Sequence, residues 1–487
     1  MKLIRFPMNR LAVTTAGFLI VALLSAAVAS AKKPGPHGHK ANVSCNQAAL
    51  VAAIDAANSG GGGTLNLAHG CDYQLTVSPD SSANGLPAIT TPITIRGNHA
   101  TIDGTNSFRV FEVDGPGGKL SARQLTITGG SAPDFGGGIA NVGGTVSLDH
   151  TKVNGNSAGV AGGGIASATF DLSSIPTVTL RHSSVSHNRQ TLGASDGGGG
   201  GGGIVNVDGT VSLDHTRVNA NTAQGGVGGG IASGDYFGEG GQPVLTLHHS
   251  QVNRNVAPNA GGGGIQNLLG TATLSHSQVN GNTSLNGGGI ASGNQGSPTG
   301  TAELKLSHST VSGNTATAGP GGEGPPLAAG GIANGSDAVL NHSKVDHNKA
   351  PNGIGAGIVN HGTMSVNRSE VNGNTAAASG FPGSGGGIFN AEGPPGTGGG
   401  ILTLDHSRVD HNSAGGSGGG ILNGLHMGQI LAAGQLTLKH SEVMHNDAAK
   451  GGGIFNADGT VTLTSSHVTG NHVDNCEPTN TIAGCTN

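Results

Sequence analysis

Histidine is the residue type through which this sequence offers the most chemistry, and it recurs at a fixed place. His150, His182, His215, His249, His276, His308, His342, His406 and His440 each stand directly before the Ser or Thr of a frame written L-x-x-[ST]-x-V-x-x-N. Arg368 and Ser465 take that place in two further copies, and His187, His347, His411 and His445 form a second, partial column. Imidazole binds Zn²⁺ and Cu²⁺ and titrates near neutrality. Rings stacked about 5 Å apart could therefore share a metal. Protonation below roughly pH 6 would set like charges in a row. The other explanation is conformational, since His, like Asn and Asp, is enriched at positive φ in bends. The expectation adopted is a bend column, with no metal and no cofactor.

Other chemistry is thin. Asp149, Asp214 and Asp405 recur at one repeat position but not in adjacent units, and Asp103 in Thr101-Ile102-Asp103-Gly104 reads as a turn residue. There is no Trp and there are two Tyr, so aromatic platforms for sugars are scarce. Tyr236 and Phe237, together in one long insertion, are the candidate ligand loop. Pairs such as Thr145/Ser147, Thr210/Ser212 and Thr460/Thr462 suggest an ice-binding face, but Glu303, Lys305, Asp337 and Val339 interrupt the array. The GGGI units lack the Asp that calcium-binding glycine nonapeptides require.

These residues are carried by an eleven-fold repeat. Each unit opens on glycines and an isoleucine: Ile139, Ile165, Ile204, Ile231, Ile265, Ile290, Ile332, Ile358, Ile388, Ile421 and Ile454. Nine follow three consecutive glycines, and Asn or Ser stands two residues later. In the second frame Val and Asn are present in all eleven copies, and Leu is replaced once, by Val366. Apolar residues alternate over short runs, as in half-buried strands, and no helical stripe exists. The unit predicts three strands, G-I-x-[NS], V-x-L and [ST]-x-V, hence an all-β solenoid with three strands per coil. Stacked coils would lie about 4.8 Å apart, so like side chains touch. Ile, Leu and Val then build a dry core, Asn a ladder of amides in a bend, and Ser/Thr satisfy backbone groups at a neighbouring bend. Glycine suits a corner with positive φ or a close backbone approach. Insertions at 168–176, 234–243, 293–302, 315–329 and 391–400 read as projecting loops.

The ends differ. Lys2, Arg5 and Arg10 precede an apolar run, Leu11–Val28, and Ala29-Ser30-Ala31 gives a cleavage site after Ala31. Residues 1–31 are thus expected to be a signal peptide of a secreted protein. No later stretch is long and apolar enough to span a bilayer. Residues 32–44 read as a linker, 45–475 as the solenoid and 476–487 as a closed tail. Within the solenoid, 45–130 hold a cap and degenerate coils, and 131–475 the regular repeats. The cap is an amphipathic helix over 45–58, with Leu50, Ile54 and Ala57 on one face and capping-box spacing between Ser44 and Gln47. Four cysteines fall in two local pairs, Cys45 with Cys71 and Cys476 with Cys485. In an exported chain two disulfides are expected; a metal site and free thiols are the alternatives. With 22 Lys and Arg, three of them in the leader, against 27 Asp and Glu, the mature chain is near −8. That argues against nucleic acid and anionic membranes as partners. A monomer is expected.

The GGGIxN and L-x-x-S-x-V-x-G-N repeats resemble those of bacterial secreted right-handed parallel β-helix proteins of the pectin-lyase-like superfamily. They are also similar to the repeats of chlamydial polymorphic membrane proteins. Gly85-Leu86-Pro87-Ala88-Ile89-Thr90 and Ile93-Thr94-Ile95-Arg96-Gly97-Asn98 are similar to secreted members of that group. The resemblance covers nearly the whole mature chain and implies a right-handed parallel β-helix. The polymorphic membrane proteins also carry a C-terminal translocator barrel, and none of the segments here is expected to form one. The function expected is a scaffold or adhesion-like binding protein that recognises polysaccharide or cell-envelope surfaces. The alternative is a polysaccharide lyase or glycoside hydrolase. Lyases need carboxylates for Ca²⁺ and a cationic base, and hydrolases need paired carboxylates; the sparse acids here favour the non-enzyme.

Overall fold

A computed structural model describes residues 39–487 except 170–173, 194–198, 236–240, 294–301, 318–327, 378–384, 392–399, 428–429, 458 and 480. The expected signal peptide, the first part of the expected linker, part of the insertions at 168–176 and 234–243 and most of the other three, and Tyr236 and Phe237 lie outside the described residues.

The repeat folds as a parallel β-helix. Three large sheets run the length of the stack, with 27, 11 and 13 strands, and their strands pair in parallel with the same segment of the next coil. One coil shows the pattern. Ile139–Val142 is followed by Thr145–Asp149, then Lys152–Asn154, then the two-residue strand Ser157–Ala158. The three expected strands are present. The short fourth one, after the Asn, forms the 11-stranded sheet. Register is strict: Ile139 faces Ile165, which faces Ile204, and Leu148 faces Leu180, which faces Leu213. All eleven repeat isoleucines are buried with no exposed surface, in one continuous core with the Leu and Val columns. Each buried Ile or Leu contributes about 1.5–3 kcal/mol relative to exposure.

The glycine triplet has two separate causes. In Gly228-Gly229-Gly230 the first residue has φ 66°, the left-handed turn into the strand. A Cβ on either of the other two would lie 2.6–2.7 Å from backbone of the next coil. Main chain packs there against main chain.

Two corners are polar and closed. From Asn156 to Asn446, each ladder Asn donates from its backbone N–H and its Nδ2 to the Oδ1 of the next ladder Asn, at 2.8–3.0 Å. A second Nδ2 bond reaches the Val carbonyl of the preceding coil, as from Asn282 to Val252 at 2.9 Å. The Ser/Thr column behaves alike. Thr216 N–H donates to Ser250 Oγ at 3.1 Å, and Ser250 Oγ donates to the His248 carbonyl at 2.8 Å.

The ends depart in detail from the sequence expectation. Residues 39–43, expected to be linker, form the strand His39–Val43, paired in parallel with Gly63–Leu67, because Ala41 and Val43 alternate inward. The cap helix spans Gln47–Ser59 and buries Leu50, Ala53, Ile54 and Ala57. Its N-cap is Asn46, whose side chain accepts from Ala49 N–H at 2.9 Å. The Ser44–Gln47 capping box does not form. Gln47 instead ties the helix to the next segment, accepting from Thr76 N–H at 2.9 Å and donating to the Gly85 carbonyl at 2.9 Å. Both disulfides are present, Cys45–Cys71 and Cys476–Cys485. The tail inserts Cys476 and Ile482 into the core.

Candidate functional site

The histidine column is set by backbone. The nine histidines have φ between 47° and 50°, and Arg368, at 46°, and Ser465, at 50°, share that conformation. The position is therefore left-handed whatever residue fills it. It turns the chain between the V-x-L and [ST]-x-V strands. The second column shows the same preference. His187, His347, His411 and His445 lie at 52–56°, while other units use Gly155, Gly281, Gly313, Gly373 and Gly470, or Ala220 and Arg254, all at positive φ.

Because coils stack in register, the rings stack too. His276, His308 and His342 are nearly parallel, with centroids 4.9 Å apart. His150 and His182 are 4.9 Å apart, and His406 and His440 4.7 Å. Elsewhere the stack tilts, most at His249, whose ring plane lies 41° from that of His215 and 42° from that of His276. The outward residue just before the bend reads Arg123, Asp149, Arg181, Asp214, His248 and Ser275 over successive coils. Asp149, Asp214 and Asp405 stay apart from one another, as the sequence suggests, but each gathers two imidazoles. Asp149 Oδ1 is 2.9 Å from His150 Nδ1 and 3.8 Å from His182 Nδ1. Asp405 Oδ1 is 2.8 Å from His406 and 3.8 Å from His440. Asp214 Oδ1 is 2.9 Å from His215 Nδ1 and 3.0 Å from His248 Nδ1. The bond from His248, then that from His215, holds the Asp214 carboxyl below the usual carboxylate range against an opposing desolvation. In the second column Asp410, nearly buried, lies between His411 at 2.8 Å and His445 at 3.2 Å.

His248 belongs to neither column. Its ring lies 4.0 Å from that of His249, which is 4.9 Å from His276. Desolvation first, then the charges of His248, His215 and His276, push the His249 pKa down. A count of one histidine per unit passes over this cluster. The signals that mark it are the His248-His249 dipeptide and the Asp214-His215 dipeptide one coil earlier.

A shallow cleft of about 360 Å³ opens on the same face, four coils wide. Hydroxyls of Thr94, Ser121, Ser147 and Thr179 form one row of it, in strict register. Arg123, Asp149 and Arg181 form the other, and Arg96 extends that row beside Arg123. Among the described residues no hydrogen bond or ion pair engages the guanidinium of Arg96, Arg123 or Arg181, and all three are exposed. Asp103, by contrast, is the turn residue expected, accepting from Thr105 N–H at 2.8 Å.

Among the described residues no helix is long and apolar enough to cross a membrane. No protein-family model matches the sequence, and no curated protein matches it. Among solved structures, the chain is similar to the A-module of mannuronan C-5 epimerase AlgE6 from Azotobacter vinelandii. The identity is 14%, the TM-score 0.36, and the match covers 86% of this chain and 94% of that one.

Proposed function

We propose that this protein is an exported, non-catalytic binder of acidic polysaccharide, which lies across the coils in the cleft between Thr94 and Arg181. The observation that carries the reading is the row of exposed, unengaged guanidiniums, Arg96, Arg123 and Arg181, beside a row of hydroxyls. Guanidinium is the side chain best matched to carboxylate and sulfate, through paired hydrogen bonds in a planar fork. Serine and threonine hydroxyls donate and accept, as sugar hydroxyls do. The rows lie on paired strands with about 4.8 Å between coils, so the ligand that fits is a repeating chain. Asp149, between two arginines, fixes the charge pattern along the groove and selects against a uniformly dense polyanion.

The test is a glycan array containing polyuronates, sulfated glycans and neutral glycans, beside a screen for depolymerisation. Wild-type protein should retain acidic glycans, with affinity falling as salt rises. The double variant Arg123→Ala/Arg181→Ala should lose at least about tenfold, since bonds to charged groups contribute roughly 1.5–3 kcal/mol each. Undiminished binding by that variant would overturn the reading. Release of reducing or unsaturated ends by the pure protein would make it an enzyme instead.

A further inference from the structure

We propose that His248, His249 and His276 form a binding site for one divalent d-block cation, Zn²⁺, Ni²⁺ or Cu²⁺, with Asp214 as the carboxylate that orients His248. Three imidazoles from two consecutive coils each bring one ring nitrogen within 4.8 Å of the others. Bonds of 2.0–2.1 Å to nitrogen place tetrahedral ligand atoms about 3.3 Å apart. Closing to that spacing takes only side-chain torsions, because all three rings are exposed.

Asp214 supplies what a loose group of rings lacks. An ionised carboxylate only accepts, so the 3.0 Å contact from Asp214 Oδ1 to His248 Nδ1 makes Nδ1 the donor and leaves Nε2 with its lone pair outward. Ligating histidines are commonly held in this way through the other ring nitrogen. Imidazole nitrogens select d-block ions over Mg²⁺ or Ca²⁺, which prefer oxygen.

The other clusters on this surface are weaker. Asp149, Asp214 and Asp405 each gather only two imidazoles, the second at 3.8 Å for Asp149 and Asp405, against the three of this cluster. Asp410 is already held by the Arg408 guanidinium at 3.0 Å, a fixed positive charge against any cation. The rings of His308 and His342 stack beside Ser307 and Asn341, without an acid.

The experiment is calorimetric titration of chelator-stripped, full-chain protein with ZnCl₂ and with NiCl₂, with circular dichroism of each variant to confirm the fold. Wild type should show one step tighter than any other. His248→Gln should weaken that step at least tenfold. His276→Asn, which keeps a residue tolerant of positive φ, should do the same. Asp214→Asn should weaken it about 10–100-fold, the usual effect of losing an orienting partner. His342→Asn, outside the cluster, should leave it unchanged. The proposal falls if wild type has no such step, or if folded His248→Gln and Asp214→Asn bind like wild type.

Discussion

His308 stands at φ 50° with a stacked ring on either side and no acid beside it. Its conformation costs an ordinary L-residue roughly 1–2 kcal/mol and costs Asn less, since Asn visits this region readily. Two variants at the one position therefore separate backbone from ring. His308→Asn should leave the denaturant midpoint within what a surface change of about 0.5 kcal/mol produces. His308→Val should lower it by the equivalent of about 1–2 kcal/mol, because branching at Cβ opposes positive φ. Equal, large losses in both would assign the stability to ring stacking. This conformation was legible in the sequence, because one residue type recurred where Gly, Asn and His are interchangeable. The cluster around His248 was not. It depends on outward side chains one coil apart at a position that forms no column, reading Asp149, Arg181, Asp214, His248 and Ser275 in turn, so no repeat marks it. The cleft was hidden for the same reason, since Arg123 and Arg181 are separated by 58 positions in sequence yet by two coils in space.

The amide ladder belongs to the scale of the element. Asn282 is buried, and its side chain makes four bonds: Oδ1 accepts from Asn255 N–H and Nδ2, and Nδ2 donates to Val252 and Asn314. Asn282→Leu should therefore cost at least about 1–3 kcal/mol from the partners it leaves unsatisfied. Asn471→Leu should cost less, but not for want of neighbours. Asn475, outside the repeat frame, continues the ladder beyond Asn471 at 3.1 Å. The difference lies in water, which reaches the half-buried Asn471 and can replace the lost bonds. Equal shifts in denaturant midpoint at the two positions would contradict a ladder protected chiefly by burial. The order and register of the three framed strands followed from the sequence, because the Ile, Leu, Val and Asn columns admit one alignment; the two-residue fourth strand, such as Ser157–Ala158, did not, being too short to carry an alternating pattern. The helix cap did not. Ser44, Asn46 and Gln47 all suit a helix start, and the choice fell to Asn46 because Gln47 is drawn to Thr76 and Gly85, a tertiary contact.

Across the whole molecule stability is spread along one axis, and each coil depends on the two beside it. Fraying must begin at a tip, and a disulfide sits at each: Cys45–Cys71 ties the cap helix to the first coils, and Cys476–Cys485 closes the tail. Reduction should move the first protease cuts to the terminal coils and leave a resistant central fragment, read by mass spectrometry of a time course. Early cuts confined to the middle repeats, at the same rate with and without reductant, would show that the tips are held by packing alone.

The corner ladders also have a heading. Along the ladder from Asn156 to Asn471, each Asn gives its backbone N–H and one side-chain hydrogen to the Oδ1 of the next Asn in the ladder. The two tips consequently have opposite needs, like the unlike ends of a polar filament. The leading tip must supply a hydrogen to the first Oδ1, and Gly130 N–H does so at 2.8 Å to Asn156. The trailing tip must supply an oxygen to the last amide, and Asn475 does so, itself receiving from nothing further along but giving its N–H to Asn487 at 2.8 Å. Neither tip can stand in for the other. A longer or shorter relative of this chain must keep both and change by whole turns between them, so that its length is an integer and its ends are constants.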